Sequence, residues 1–502
     1  MRALSASALA PARRRPDLVL VVALGVTALG VLGSYLLKRQ CSGPTFDRYG
    51  ISQGFGTLKY RNLCYNDIQQ LWVGRGVREH LFPYLHGRFV PGPGGGQLVG
   101  GGVEYPVVTG VFMWFAGLPA RTDADYLRLS ALLLLPFGLL TTWLLVRLAG
   151  RRALIWAAAP AIVLYGVHNW DFLATASMAG AVLAWTRQRP GAAGALLGLG
   201  AATKIYPGFF LLPLLAEQIH AGDRRGALRA GAGAGVVWLG VNLPVLLANP
   251  AGWWATYRFQ ASREPDLTTN SIWYWGLPHL TVHQVNHIAP VLIGAAWLAA
   301  LGAGGWLARR RGHYPWIQVS AAMLCAFLLF NKVHSPQFLL WLLPFFVLVR
   351  VRWGWWVAYF AADLTLFVGL FRWYNDISRG GDFGLAKQAA IVGTWGRAVL
   401  LGLLYVVFLV SPPAPRATPT PAEPESGRGS ASGSRSETPA RSGIPPGSGS
   451  ESEAAADDRG QDNAAYAPSG APSSTPPAGS SPPDERTTSR SGRRMSRITS
   501  RQ

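Results

Sequence analysis

The sequence predicts an all-α polytopic membrane protein with a polar C-terminal tail. Half of the 502 residues are hydrophobic, and apolar runs of helical length recur from residue 18 to residue 410. After residue 410 the composition changes to Pro, Ser, Gly, Ala, Glu and Arg, with almost no large aliphatic side chains. Such a segment buries too little apolar surface to offset the entropy of ordering, so we expect a disordered tail over residues 411–502.

The apolar runs predict the helices in chain order. They lie at residues 18–37, 105–119, 127–147, 153–167, 172–186, 191–203, 205–217, 229–248, 288–307, 315–330, 337–349, 354–371 and 388–410. The first run is not followed by a small-residue cleavage site, so we expect it to stay in the membrane as a helix. We predict about 12 transmembrane helices plus one re-entrant or interfacial segment in a membrane domain that covers residues 1–410.

Arginine clusters between the runs predict the orientation, because short loops rich in Lys and Arg stay in the cytoplasm. Both termini and the tail are then cytoplasmic, and residues 38–104 form the first outer loop. If successive runs cross in alternating directions, the first helix brings the chain outside and residues 127–147 must return it to the inside. No crossing is then left for residues 105–119, which span only about 22 Å of a roughly 30 Å hydrocarbon core. We interpret this run as the re-entrant or interfacial segment. The alternative is that it crosses and that one of the short runs within 191–217 does not.

The charge balance excludes one class of partner. The chain has 46 Lys and Arg against 25 Asp and Glu, a formal net charge of +21. The tail is nearly neutral, so the excess belongs to the membrane domain, where basic residues at helix ends set orientation. This pattern predicts contact with membrane lipids and no nucleic acid partner. Cys41 and Cys64 both fall in the first outer loop, an oxidising location, where either a disulfide or two free thiols fits.

Polar residues collect at the predicted outer ends of the helices. The stretches are YNDIQQLW with Asp67, GGVEYPVVTG with Glu104, VHNWD with Asp171, ATKIYPG with Lys204, and NKVHSPQ with Lys332, His334 and Gln337. A carboxylate can deprotonate an acceptor hydroxyl, and Lys or His can stabilise the charge that grows on a departing phosphate. These turns therefore predict glycosyl transfer from a lipid-linked sugar phosphate on the outer face.

Each of these residues also has a structural alternative. Asp67 fits the start of an amphipathic interfacial helix, since Ile68, Leu71 and Trp72 follow at helical spacing. Lysines at a membrane edge commonly extend toward headgroups, and single histidines are more often structural than catalytic. The DAD at residues 123–125 resembles a metal-binding DxD motif, but three matching residues are too few to count.

The motifs EYP, NWD, GLGAATKIYP and NKVHSPQFLLW, taken in this order, resemble glycosyltransferase family 87 over roughly residues 18–410. The best known members of that family are polyprenol-phosphate-mannose-dependent mannosyltransferases. The resemblance implies the GT-C type of membrane fold, an Asp in the first outer loop as general base, and transfer with inversion. Where the family often has EYPP, this chain has EYPV, so any role of the second proline does not carry over to Val107.

The resemblance assigns roles to residues of this sequence. It implies that Asp67 is the general base and that His334 acts on the donor phosphate or the acceptor. Lys332 and Lys204 become phosphate contacts. Glu104, Asp171 and Gln337, which lie in the same turns, are further substrate-binding candidates. The implied donor is a polyprenyl-phosphate sugar whose sugar, by the family likeness, is mannose, and the implied acceptor is a cell-envelope glycolipid or glycan. The scheme needs no metal and no cofactor, because fixed cations can serve a monophosphate leaving group.

The main rival is a transporter or flippase of a lipid-linked saccharide, which would line a path through the membrane midplane with ionisable residues. Asp363 is the acid that lies well inside an apolar run, whereas the other polar groups collect at outer helix ends. This distribution favours an enzyme in the plasma membrane.

Overall fold

The computed structural model describes residues 18–92, 95–381 and 384–414, and its regular structure is almost entirely helical. The helices are α1 (Leu18–Arg39), α2 (Gln53–Leu58), α3 (Asp67–Gly74), α4 (Val107–Gly117), α5 (Asp123–Ala149), α6 (Leu154–Ala157), α7 (Pro160–Tyr165), α8 (Asp171–Thr186), α9 (Pro190–Ala201), α10 (Tyr206–Phe209), α11 (Leu211–His220), α12 (Arg224–Ala248), α13 (Pro250–Ser262), α14 (Ile272–Gly276), α15 (Val282–Arg311), α16 (Trp316–Phe330), α17 (Leu339–Leu348), α18 (Trp353–Ser378) and α19 (Leu385–Val410). One antiparallel hairpin, β1 (Arg88–Val90) with β2 (Gln97–Val99), completes the described structure.

Six helical segments of the described residues are long and apolar enough to cross a membrane. They are Leu18–Arg39, Asp123–Ala157, Arg224–Ala248, Val282–Arg311, Trp353–Ser378 and Leu385–Val410. Shorter apolar helices lie between them, so the predicted all-α multi-pass membrane fold is confirmed. The number of crossings and the orientation of the termini stay predictions.

Some predicted runs are divided or shortened in the structure. The run at 153–167 divides into α6 and α7 because the chain turns at 158–159 and restarts at Pro160, which has no N–H to continue a helix. The run at 105–119 contains only the short helix α4, whose rise of about 16 Å is well below the roughly 30 Å core. Whether this segment crosses the membrane stays a prediction.

A disulfide joins Cys41 to Cys64 and so resolves the question that the sequence left open. Cys41 lies two residues after α1, and Cys64 lies three residues before α3. The crosslink therefore holds the start of α3 against the end of α1. Helix α3 also packs on α5, where the Trp72 and Tyr126 rings lie 5.5 Å apart.

The last two helices approach each other closely through glycines. A Cβ atom at Gly369 of α18 or at Gly393 of α19 would overlap backbone atoms of the other helix. Small residues at such positions let membrane helices pack with their backbones in contact. Beyond α19 the described chain ends at Ala414, whose N–H bonds to the carbonyl of Leu348 at 2.8 Å. The predicted disordered tail otherwise lies outside the described residues.

Candidate active site

Asp67 is the first residue of α3, and two contacts fix the start of this helix. The Asn66 side chain caps it by accepting a hydrogen bond from the Gln69 N–H at 2.9 Å. The backbone N–H of Asp67 donates to the carbonyl of His168 at 2.9 Å. The start of α3 is thus joined to the turn between α7 and α8. The structural alternative for Asp67, a helix start, is correct and does not compete with a role in catalysis.

The Asp67 carboxylate accepts hydrogen bonds from three neutral donors. Tyr65 donates its hydroxyl to Oδ1 at 3.0 Å, and Asn169 donates its amide to Oδ2 at 2.6 Å. Gln337 makes a longer contact to the same oxygen, at 3.4 Å. A carboxylate has about four acceptor positions, so one remains for a substrate hydroxyl. The residue is partly exposed.

Burial and the neighbouring polar groups of Asp67 shift its pKa in opposite directions. Burial raises the pKa above the ordinary carboxyl value, because the charged form loses hydration. The hydrogen bonds from Asn169 and Tyr65, and the positive charge of Lys204, act in the opposite direction. The net direction is upward, which makes Asp67 a stronger base than an exposed carboxylate.

Behind Asn169 lies a buried ion pair. The Lys204 ammonium is 2.9 Å from Asp171 Oδ1 and also donates to the Asn169 side-chain oxygen at 2.9 Å. Asp171, the first residue of α8, is fully buried and also accepts a hydrogen bond from the Trp341 indole at 2.7 Å. The Lys204–Asp171 pair therefore supports the amide that holds Asp67. Asn169 donates a hydrogen bond to Asp67 and accepts one from Lys204.

Glu104 lies at the side of the site in a pair with Arg75. The Arg75 Nε atom is 2.6 Å from Glu104 Oε2, and a second guanidinium contact to Oε1 measures 3.3 Å. Both side chains are partly exposed, and the Arg75 guanidinium lies 5.6 Å from the centre of the Phe259 ring. The negative charge of Glu104 contributes to raising the pKa of Asp67.

The turn between α16 and α17 approaches the site with Gln337, while its two cationic candidates are engaged elsewhere. Lys332 donates three hydrogen bonds, to the carbonyls of Ala261 and Arg263 and to the Asn286 side chain, at 2.8, 3.0 and 2.7 Å. An ammonium has three donors, so these bonds use them all. Burial and the nearby Arg263 lower the pKa of Lys332 to about 8.

His334 is buried, and its Nε2 atom lies 3.4 Å from the Tyr359 hydroxyl. Burial, together with the charge of Arg397, lowers the pKa of His334 well below its ordinary value. The imidazole is consequently neutral near pH 7 and can exchange a hydrogen bond with a substrate, but it does not supply a positive charge.

The structure adds three residues to the candidate site. Tyr65 and Asn169 bond directly to Asp67, and Arg75 pairs with Glu104. Tyr65 and Asn169 lie inside the motifs YNDI and VHNWD, each two residues before a predicted acid, so the motifs themselves carried a signal. Arg75 carried none, because Arg is abundant throughout this sequence.

The DAD at residues 123–125 is used for structure. Asp123 accepts hydrogen bonds from the Ser52 hydroxyl at 2.6 Å and from the Gln69 amide at 3.0 Å. Asp125 accepts a hydrogen bond from the Thr122 hydroxyl at 2.9 Å. Within the described residues, no three His, Cys, Asp or Glu side chains are grouped so that they could hold a metal ion.

Comparison of the sequence with protein families gives the chemical class of the protein. Residues 105–331 match the model of glycosyltransferase family 87. The protein is a membrane glycosyltransferase similar to that family. The match contains the turns of Asn169, Asp171 and Lys204, while Asp67 precedes it and Gln337 follows it. The GT-C type of fold stays an expectation from the resemblance of the motifs.

The other comparisons add less about the glycosyltransferase. A solved structure, the crystal structure of ArnT from Cupriavidus metallidurans bound to undecaprenyl phosphate, has a TM-score of 0.37 and 16% sequence identity, and the similarity covers 78% of this chain and 77% of that one. A likeness at this level carries no argument about the substrate. None of the curated proteins matches the chain.

Proposed function

We propose that this glycosyltransferase moves a hexose, mannose in the first instance, from a polyprenyl-phosphate donor to an envelope glycolipid or glycan. The transfer takes place on the extracytoplasmic face and inverts the anomeric configuration. The observation that carries the proposal is the Asp67 carboxylate, which is partly exposed, held by three neutral donors, and left with room for one more hydrogen bond.

Asp67 acts as the general base. Its carboxylate takes the proton of the acceptor hydroxyl while the hydroxyl oxygen attacks the anomeric carbon. The bond between that carbon and the phosphate oxygen breaks, and polyprenyl phosphate leaves with the electron pair. A β-linked donor thus gives an α-linked product. The neutral donors around Asp67 favour this role, because an adjacent cation bonded directly to the carboxylate would lower its basicity.

The proposed phosphate contacts are Lys332 and Lys204, with His334 as a neutral hydrogen-bonding group. Both ammonium groups already bond to protein atoms, so we expect donor binding to exchange one of these bonds for a phosphate oxygen. In this proposal Glu104 and Gln337 contact the sugar or the acceptor. Asp171, which is fully buried, contributes by holding Lys204.

The test is transfer of radiolabelled mannose from polyprenyl-phosphate-mannose to membrane glycolipids by the purified protein in lipid vesicles. Asp67→Asn keeps the size of the side chain and removes the base, so we expect a loss of about 10²-fold to 10⁴-fold in kcat. Asp125→Asn is the matched control, because Asp125 is an acid near the start of α5 that bonds to Thr122 and Arg128.

Two results would contradict the proposal in different ways. If the folded wild-type protein transfers no sugar from this donor, the donor assignment is wrong, and other lipid-linked sugars should be tested as donors. Transfer by the Asp67→Asn variant at the wild-type rate would remove Asp67 as the base while leaving the donor class in place.

A further inference from the structure

A second set of polar side chains lies buried inside the helix bundle, behind the candidate site. Asp363 of α18 and Arg397 of α19 have no solvent exposure, and Arg397 Nη1 lies 3.4 Å from Asp363 Oδ1. The proposed chemistry uses neither residue. A buried charge is costly unless it is paired, so a reason for this pair has to be sought in what it bonds to.

On one side the pair reaches the turn that contains Asn169. Tyr165, the last residue of α7, donates its hydroxyl to Asp363 Oδ2 at 2.5 Å. The ring of Tyr165 also packs edge-on against His168, with centroids 6.1 Å apart. His168 is the residue whose carbonyl accepts the Asp67 N–H, and Asn169 follows it directly. The Asp363 carboxylate therefore anchors the turn that fixes the base.

On the other side the pair reaches the turn that contains Gln337. Arg397 Nη2 donates to the backbone carbonyl of His334 at 3.2 Å. Tyr359, one turn before Asp363 on α18, places its hydroxyl 3.4 Å from the His334 ring. Gln337 lies three residues further along and contacts Asp67. Arg397 thus bonds to the second turn that approaches the base.

We propose that the Asp363–Arg397 pair is a positioning element of the active site. It joins the turn at 166–170 to the turn at 331–337, so that Asn169 and Gln337 both reach Asp67. This inference rests on the proposed role of Asp67 as the base. A contribution to stability does not by itself explain why the pair is present, since replacing a buried ion pair with apolar residues of similar volume is often neutral or stabilising.

The experiment separates positioning from stability with the double variant Asp363→Leu/Arg397→Met in the full chain. We expect its unfolding temperature to stay near the wild-type value. Its kcat should fall by about tenfold to a hundredfold with KM nearly unchanged, because the base loses its alignment rather than a substrate contact. The acid limb of the pH profile should move to higher pH, since a loosened Asn169 no longer lowers the pKa of Asp67.

Two further variants keep the test decisive. Arg397→Lys retains a charge beside Asp363 but lacks the fork that also reaches the His334 carbonyl, so we expect a folded protein with reduced kcat. Thr394→Val removes a buried hydroxyl one turn away on α19, which bonds to the Ala390 carbonyl, and we expect wild-type kinetics.

Wild-type kcat and an unchanged pH profile in the double variant would overturn the proposal. If the double variant does not fold, the kcat of Arg397→Lys decides, and a wild-type value overturns it. Failure of the wild-type enzyme to transfer sugar would instead count against the proposed function.

Discussion

Asp67 and Asp171 are the same residue type at the same position, the first residue of a helix, and they lie on either side of Asn169. Asp67 is partly exposed and bonds to neutral donors. Asp171 is fully buried, pairs with the Lys204 ammonium and accepts a hydrogen bond from the Trp341 indole. The first keeps room for one more hydrogen bond, whereas the second is engaged by the Lys204 ammonium and the Trp341 indole. Neighbouring groups, not residue type or helix position, separate the proposed base from the residue that supports it.

The largest effect on stability is expected from Asp171→Asn. This change leaves the Lys204 ammonium buried without its counter-ion, which costs about 3–5 kcal/mol when one partner of a buried pair is removed. Asp67→Asn should change stability by about 1 kcal/mol or less, because the side chain is partly exposed and its donors are neutral. Thermal unfolding of both variants in lipid nanodiscs measures the difference, and equal losses would show that the two acids are not distinct.

A smaller effect, on pH dependence, is expected from Tyr65→Phe. The Tyr65 hydroxyl favours the charged form of Asp67 and so lowers its pKa, and removing it should raise the pKa further. Only the unprotonated carboxylate is a base, so activity is lost as pH falls through this pKa. The acid limb of kcat/KM should therefore move to higher pH in the variant, while the plateau changes by about tenfold or less.

Tyr60→Phe is the matched control for that measurement. The Tyr60 ring stacks on Tyr65 with centroids 5.8 Å apart, but its hydroxyl is not among the three donors to Asp67. We expect its pH profile to follow the wild type. A shift of the same size in both variants would mean that ring packing, rather than the hydrogen bond, sets the pKa of Asp67.

The smallest effect is expected from Gln337→Leu. Its contact to Asp67 is long, at 3.4 Å, and hydrogen bonds weaken as they lengthen. The amide nitrogen makes this contact, whereas the amide oxygen is buried without a partner, so the substitution removes an unsatisfied group as well. We expect a loss of about threefold in kcat and no loss of stability. A hundredfold loss would indicate that Gln337 contacts the substrate directly.

Much of the fold can be predicted from the sequence because membrane helices are visible in it as long apolar runs. The runs at 18–37, 229–248 and 388–410 lie within α1, α12 and α19. The disulfide could not be decided, since two cysteines in one loop fit either state until their separation in space is known. The interruption at 158–159 lay within a continuous apolar run and was missed, although Pro160 marked the point.

The candidate site was only partly predictable, because each motif was assigned on its own. Asp67 and Gln337 were placed on one face by topology, and the structure brings them together. The pairing of Lys204 with Asp171 was not foreseen, because both were treated as substrate contacts. Similarly, Lys332 was selected as a lysine in a predicted outer turn. That reasoning could not show that two backbone carbonyls and the Asn286 side chain would use all its donors.

The three donors to Asp67 come from distant parts of the chain. Tyr65 lies two residues before Asp67, Asn169 lies 102 residues after it and Gln337 lies 270 residues after it. During synthesis, the segment that carries Asp67 is made early, long before the helices that flank the second and third donors have entered the bilayer. A nascent or truncated chain would therefore present an unaligned carboxylate, and its competence for chemistry would begin only with the insertion of its last helices.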